Sequence, residues 1–362
     1  MVFDATSSDA RDVAPARDPV SARSRAAARE IADVEAFINA SGALGALDPD
    51  ISDFTFGNPH EMPLRGLVDA LTRSAEPRAV DWYAYKASEE APRAFLAESL
   101  RRELDLPFDP QDVALTAGAF GAIGLAFHLL TDPGDEVVIP VPGWFLYAPM
   151  LRQAGATPVE APLHPTTWDL DLEAIDAAIT PRTRIVVVNS PHNPTGRVYG
   201  PEVWTELAAV LDRASERIGR RIYLLSDEPY RRLRFDGRGF VSPAAHYPWT
   251  LIDYSYGKVL LAPGQRLGYL ALSPLMPATD RLALRAAAFP TQAALGWTFP
   301  EAIMQHSVEA LERLSIDTAE LESKRNLMVD ALAGWGYAVV RPEGTFYLWG
   351  TAPGGDAVAF AA

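Results

Sequence analysis

Lys258 lies in the stretch SYGKVLLAPGQRLGY, Ser255 to Tyr269, and is one of only three lysines, with Lys86 and Lys324. Arginine fills nearly all the other basic positions. A lysine amine attacks carbonyls once it is neutral, and nearby cations and partial desolvation favour that form. Arg266 follows in the same loop. Other reactive or oriented groups each follow a short apolar run. NSPHNPTG sets Asn193 in a loop stiffened by Pro191, Pro194 and Gly196, which orients its amide. SDEPY carries Asp227 and Tyr230, and VPGWFLY carries Trp144 and Tyr147. TAGAFGAIG, with Gly118, Gly121 and Gly124 spaced GxxGxxG, is a small-residue turn opening a helix, where free N–H groups and the helix dipole favour a phosphate. Each motif also has a plain structural reading: helix packing for the glycines, core for the aromatics, a rigid turn for Asn193 and a helix cap for Asp227.

The elements that position these groups are strands alternating with helices. DVALT, DEVVIP, RIVVVNS, RIYLLSDEP, TLIDYS and GYLALS read as strands. AFGAIGLAFHLL, FLYAPMLRQAG and the segment through Val203, Leu207, Val210 and Leu211 read as helices between them. This is an α/β pattern with a mostly parallel sheet, and ligands of such sheets bind beyond the carboxyl ends of the strands. Upstream, Ile31, Val34, Phe37 and Ile38 mark a helix over Arg25 to Ala40 that SGALG ends, and FGNPHEMP is a turn-rich entry. Pro92 suits the first turn of a helix carrying Phe95, Leu96 and Leu100 inward. From about Phe299, helical patterns through Ile303 to Leu311 and Leu321 to Leu332 precede YAVVRPEGTFYLW, read as strand, turn and strand. That is a smaller α+β unit.

One sheet edge therefore collects a phosphate cradle, an aromatic plate, an amide, a carboxylate, a phenol, a lysine and an arginine. The set meets the needs of pyridoxal 5'-phosphate. A lysine forms a Schiff base with its aldehyde, a carboxylate holds its pyridine nitrogen protonated, and an arginine with backbone amides binds its phosphate.

NSPHNPTG, SDEPY and SYGKVLLAPGQRLGY in that order resemble the class I/II aminotransferases, the fold-type-I pyridoxal-phosphate enzymes, and the resemblance runs from about Phe56 to the C-terminus. It implies a three-layer α/β fold with a mostly parallel seven-stranded sheet and a small α+β domain. The expected division is an arm over 1–24, disordered or packed on a partner, a large cofactor-binding domain over 57–298, and a small domain from 25–56 and 299–362. It implies that Lys258 is the Schiff-base lysine and proton shuttle, that Asp227 pairs with the pyridine nitrogen, and that Tyr230 and Asn193 bond the ring oxygen. By the same resemblance Trp144 stacks on the ring, and Ser255, Arg266 and the backbone N–H groups of Ala119 and Phe120 hold the phosphate. Tyr85, in WYAYKASEEAP, looks like the tyrosine that reaches the phosphate of a neighbouring subunit in a homodimer. Gly57, in FGNP, looks like the glycine lining the substrate carboxylate pocket. The implied reaction moves an amino group between an amino acid and a 2-oxo acid.

The chain departs from the family pattern in places. Gly257 stands where many relatives have serine, Phe120 where many have serine or threonine, and Glu90 where a glycine is usual. The family's small domain continues to an arginine that grips the substrate α-carboxylate, whereas no residue after Arg341 is basic here. The expectation is a chain shortened at its C-terminal end. The alternatives are another carbanion reaction on the same cofactor, such as β-elimination, or a cofactor-binding protein with weak or no catalysis. A histidine near SDEPY would mark the acyl-CoA-condensing relatives, and it is missing. Ser255-Tyr-Gly-Lys258 also matches the SxxK of serine hydrolases. There, however, an SDN element follows SxxK, whereas Ser226-Asp-Glu precedes it here, and no KTG element is present.

Composition narrows the field further. A formal net charge of −15 argues against nucleic acid or an anionic membrane as a main partner. The absence of cysteine excludes disulfides, thiolate metal sites and cysteine nucleophiles, and suits a cytoplasmic protein. The six histidines have no metal-ligand spacing, and no apolar run is long enough to span a bilayer. The N-terminal segment lacks the apolar core of a signal peptide.

Overall fold

The computed structural model describes residues 19–41, 50, 54, 57, 61–296 and 299–361. The first 18 residues, most of SGALG and half of FGNPHEMP lie outside the described residues. Seven strands form the main sheet: β1 (Val113–Thr116), β2 (Glu136–Val141), β3 (Thr157–Pro162), β4 (Thr183–Asn189), β5 (Tyr223–Asp227), β6 (Thr250–Ser255) and β7 (Gly268–Leu272). Their spatial order is β1-β7-β6-β5-β4-β2-β3. β2 to β6 run parallel, while β7 pairs antiparallel with both β6 and β1. The mostly parallel seven-stranded sheet is thus as expected. Every residue of β5 and β6 is buried, as a sheet covered on both faces requires. β3 was not recognisable as a strand. It reads TPVEAP, is mostly part-exposed, and lies on the sheet edge, where its two prolines and its polar side are tolerated.

The helices are α1 (Ala22–Ser41), α2 (Arg65–Ala75), α3 (Glu90–Leu104), α4 (Gly118–Leu130), α5 (Tyr147–Ala154), α6 (Leu172–Ala178), α7 (Pro201–Ile218), α8 (Tyr256–Val259), α9 (Ala278–Leu295), α10 (Ala302–Glu312) and α11 (Thr318–Gly334). α7 shows why the sequence forms them. Pro201 starts it, Gly219 ends it in a left-handed cap, and Trp204, Leu207, Leu211 and Ala214 bury one stripe. That stripe and Ile175 of α6 cover one sheet face, through Val186, Val188 and Leu224. α4 and α5 cover the other, through Leu225, Leu251 and Leu270. A third cluster joins α3 and α10 to β1, β6 and β7. α1 lies along α5, with Glu30 and Arg152 paired at 2.7 Å. The C-terminal strand pair is β8 (Ala338–Val340) and β9 (Trp349–Thr351), antiparallel.

Glu312, at the end of α10, ties three elements together. It is buried and accepts hydrogen bonds from Ser99 Oγ of α3 (2.5 Å), from the Tyr256 hydroxyl of α8 and from Arg232. Removing it would leave the largely buried Arg232 guanidinium ion-paired with Glu103 alone among the described residues and take the acceptor from the Ser99 and Tyr256 hydroxyls. We predict that Glu312→Ala lowers stability by about 1–3 kcal/mol, read as a fall in the urea midpoint, whereas an exposed control such as Glu309→Ala changes it little.

Candidate active site

The carboxyl ends of β1, β2, β4, β5 and β6 bring most of the candidate residues to one edge. After β1, Thr116 Oγ1 donates to the carbonyl of Gly118 (2.9 Å), and α4 begins at that glycine with φ 73°. Gly118 has no room for a side chain, because a Cβ would stand 2.5 Å from Arg266 Nη2. The Arg266 guanidinium therefore lies against the N-terminus of α4, steadied by an Nη1 bond to the Pro263 carbonyl (2.6 Å). Ala119 and Phe120 occupy the first turn of α4, where N–H groups have no helical acceptor. A cation beside those donors is a seat for an anion. Gly257 is close-packed too, since a Cβ would stand 3.0 Å from Pro263 Cα. A serine there would need the Pro-Gly turn to give by a few tenths of an ångström.

After β2, the Trp144 ring meets Phe120 edge-on at 4.8 Å and Tyr147 at 5.2 Å. Tyr147 was noted in the sequence without a role. It is buried, and its hydroxyl donates to Asp227 Oδ2. Asp227 ends β5 and is itself buried, with Oδ1 lacking a hydrogen-bond partner among the described residues. Burial raises its pKa, opposed by the Tyr147 bond and, more weakly, by the charge of Lys258. After β4, Asn189 Nδ2 donates to the Asp227 carbonyl (2.8 Å), while its Oδ1 accepts from the Asn193 backbone N–H (2.5 Å). Asn189 thus registers the Asn193 loop against the end of β5, a role that nothing in the sequence distinguished from an ordinary strand end.

Tyr230 follows β5, wholly buried and engaged with the Asn193 side chain, and its hydroxyl lies 2.9 Å from that of Tyr347. Its neighbour Arg231 is buried between Glu103 (3.1 Å) and Glu228 (3.6 Å), with its guanidinium 4.3 Å from the Tyr254 ring, which fixes this turn. Ser255 ends β6, buried, and α8 places Lys258 one residue short of its end. Lys258 Nζ lies 5.6 Å from the ring centres of both Tyr230 and Phe346. Burial lowers its pKa and Arg266 lowers it further, against an upward pull from Asp227. Gly57 comes to the same place, as a Cβ there would stand 3.0 Å from the Tyr347 hydroxyl. Phe346 and Tyr347, like Tyr147 and Asn189, were not picked out as site residues, because only the tertiary fold brings the C-terminal segment over Lys258. Tyr85 is the exception among the candidates: the single chain leaves it fully exposed rather than packed in the cluster. No group of His, Asp and Glu among the described residues could hold a metal.

The Asn193 loop contains His192, buried, with Nδ1 2.9 Å from Thr195 Oγ1 and its pKa lowered by burial to about 3. The unfolded chain binds this proton at ordinary histidine pKa and the folded chain does not. Stability contributed here is complete above the unfolded value and is lost as pH falls toward 3. We predict that His192→Asn flattens the fall in unfolding free energy between about pH 6.5 and pH 5, followed by urea denaturation across that range.

The sequence profile described as "Aminotransferase class I and II" matches residues 50–362. The aspartate/prephenate aminotransferase of Thermus thermophilus is 34% identical over 316 residues, covering 84% of this chain and 75% of its own. The aspartate aminotransferase of Bacillus subtilis is 30% identical over 318 residues, covering 84% and 74%. Among solved structures, an amino transferase from Eubacterium rectale superimposes with a TM-score of 0.82 at 28% identity, covering 94% of this chain and 84% of that one. A mutant of the Thermus thermophilus aspartate aminotransferase gives 0.73 at 30% identity, covering 92% and 85%. These likenesses favour amino transfer over β-elimination, over weak or absent catalysis and over a serine hydrolase. The chain belongs to the class I and II aminotransferases and is an enzyme that transfers an amino group between an amino acid and a 2-oxo acid.

Proposed function

We propose that the enzyme works with pyridoxal 5'-phosphate held at this cluster. The observation that carries the reading is a desolvated lysine amine near a buried carboxylate whose Oδ1 has no partner among the described residues, with a cation at a helix N-terminus close enough to act on that lysine. The donor set fits the cofactor. Arg266, Ser255 and the first N–H groups of α4 would hold the phosphate, Asp227 the ring nitrogen, Tyr230 and Asn193 the ring oxygen, and Trp144 one ring face. When bound, the cofactor supplies an aldehyde conjugated to a protonated ring that takes up the electron pair left when a substrate Cα–H is removed.

The chain's own residues supply the rest. Lys258, with its pKa lowered, has a neutral amine available nearer neutral pH than a free lysine does, so Nζ can accept a proton and return it. Ionised Asp227 stabilises a proton on the ring nitrogen, and Tyr147 holds that carboxylate in place. Gly57 and Tyr347 border the space beside Lys258 where a substrate carboxylate would lie. The relatives' names make aspartate the first donor to try. We also propose a homodimer in which Tyr85 reaches the partner's phosphate. The exposure of Val80, Tyr83 and Tyr85 on one stretch supports it. A cytoplasmic site of action suits a chain with no cysteine to oxidise.

Purified enzyme loaded with pyridoxal phosphate is expected to show a visible band that aspartate, or another donor in a panel, converts to the pyridoxamine form. Lys258→Ala is expected to lose that conversion. A band that no donor changes would contradict amino transfer at this site. For the dimer, light scattering is expected to give the mass of two chains, with Tyr85→Phe weakening cofactor binding by about tenfold, the worth of one hydrogen bond to a charged group. A monomer, or unchanged binding, would remove that assignment.

A further inference from the structure

Asp253 lies directly beside Asp227. The two are Cα partners on the parallel strands β5 and β6, two residues beyond the partnered Leu225 and Leu251. Those leucines belong to the apolar cluster under α4 and α5, so the alternation of the strands turns both carboxyl groups toward the same covered face. Asp253 is wholly buried. Neither of its oxygens meets a hydrogen-bond donor among the described residues, and Asp227 Oδ1 is in the same position.

The groups facing Asp253 make its ionisation costly. β5 presents Asp227, and Glu228, just past the strand and bonded to Ser226 and Ser242, adds repulsion when charged. β7 presents Leu270 across the ladder. α5 brings Tyr147, whose hydroxyl is already given to Asp227. α4, packed over β6, has no ionisable side chain before His128 in its last turn. Two adjacent carboxyl groups without a cation on Asp253 hold a proton between them, and their oxygens can then bond to each other. Asp227 has Tyr147 and Lys258 to favour its charge, so the proton belongs on Asp253.

We propose that Asp253 is a neutral carboxylic acid that donates its proton in a hydrogen bond to Asp227, and so is a positioning residue that orients the carboxylate meant for the cofactor's ring nitrogen. Burial, then repulsion from Asp227, pushes its acidity far in the same direction. The role rests on the cofactor reading for its purpose, but not for the proton itself.

Two variants separate a donor from a charge or a packing role. Asp253→Asn keeps both shape and a donor, and Asp253→Val keeps bulk without a donor. Infrared difference spectra of the cofactor-free proteins at neutral pH, wild type minus Asp253→Asn, are expected to show a protonated-carboxyl band lost in the variant. Pyridoxal phosphate titrated into each protein is expected to bind Asp253→Asn within about twofold of wild type and Asp253→Val about tenfold more weakly. The pH midpoint of the bound cofactor's visible absorption should move only in Asp253→Val. No lost acid band would overturn the proposal. So would an Asp253→Asn variant that shifts binding and midpoint as far as Asp253→Val. If the wild type itself binds no cofactor, the functional reading fails, and the infrared result still decides where the proton is.

Discussion

Asp227 is held out of water at the end of β5, 4% exposed, and the chemistry of the site follows from what must surround such a group. A buried carboxylate is tolerated only with donors or a cation in reach. Tyr147 donates to one oxygen, Lys258 stands near enough to favour its charge, and Asn189 takes its carbonyl. The same desolvation acts on Lys258 with the opposite sign and keeps its amine closer to neutral. The same dry pocket thus raises the pKa of the acid, which the Tyr147 bond opposes, and lowers that of the base, which Arg266 reinforces.

The surrounding fold keeps that pocket dry and rigid. The Arg231 turn, clamped by Glu103 and Glu228, carries Tyr230 into place. Glu312 binds Tyr256, two residues from Lys258, to α10. Phe346 and Tyr347 close over the lysine from the C-terminal segment, next to Gly57 from the N-terminal side. Precision at Lys258 therefore depends on residues from both ends of the chain, which is the arrangement needed to hold reacting groups to within a fraction of an ångström.

Much of this was legible in the sequence because the site sits where strands end. Apolar runs locate the strands, and the residues just beyond them had to share an edge, which placed Asn193, Asp227, Ser255, Lys258 and Arg266 together. The rest was hidden for physical reasons. β3 carries two prolines and a polar face, so its pattern is that of a loop. α9 contains Pro290 and buries little, so its stripe is faint. Tyr147 and Asn189 look like core and strand-end residues until tertiary contacts give them partners. Asp253 interrupts an apolar strand without any local signal, and only the register of β6 against β5 shows what it faces.

The proposed chemistry requires that Lys258, and not Lys86 or Lys324, be the amine that joins the cofactor. Borohydride reduction of the pyridoxal-phosphate-loaded protein, followed by peptide mass mapping, tests it directly. A pyridoxyl-phosphate mass is expected on the peptide containing Lys258 alone. A modification on Lys86 or Lys324 instead, or none on any lysine, would contradict it.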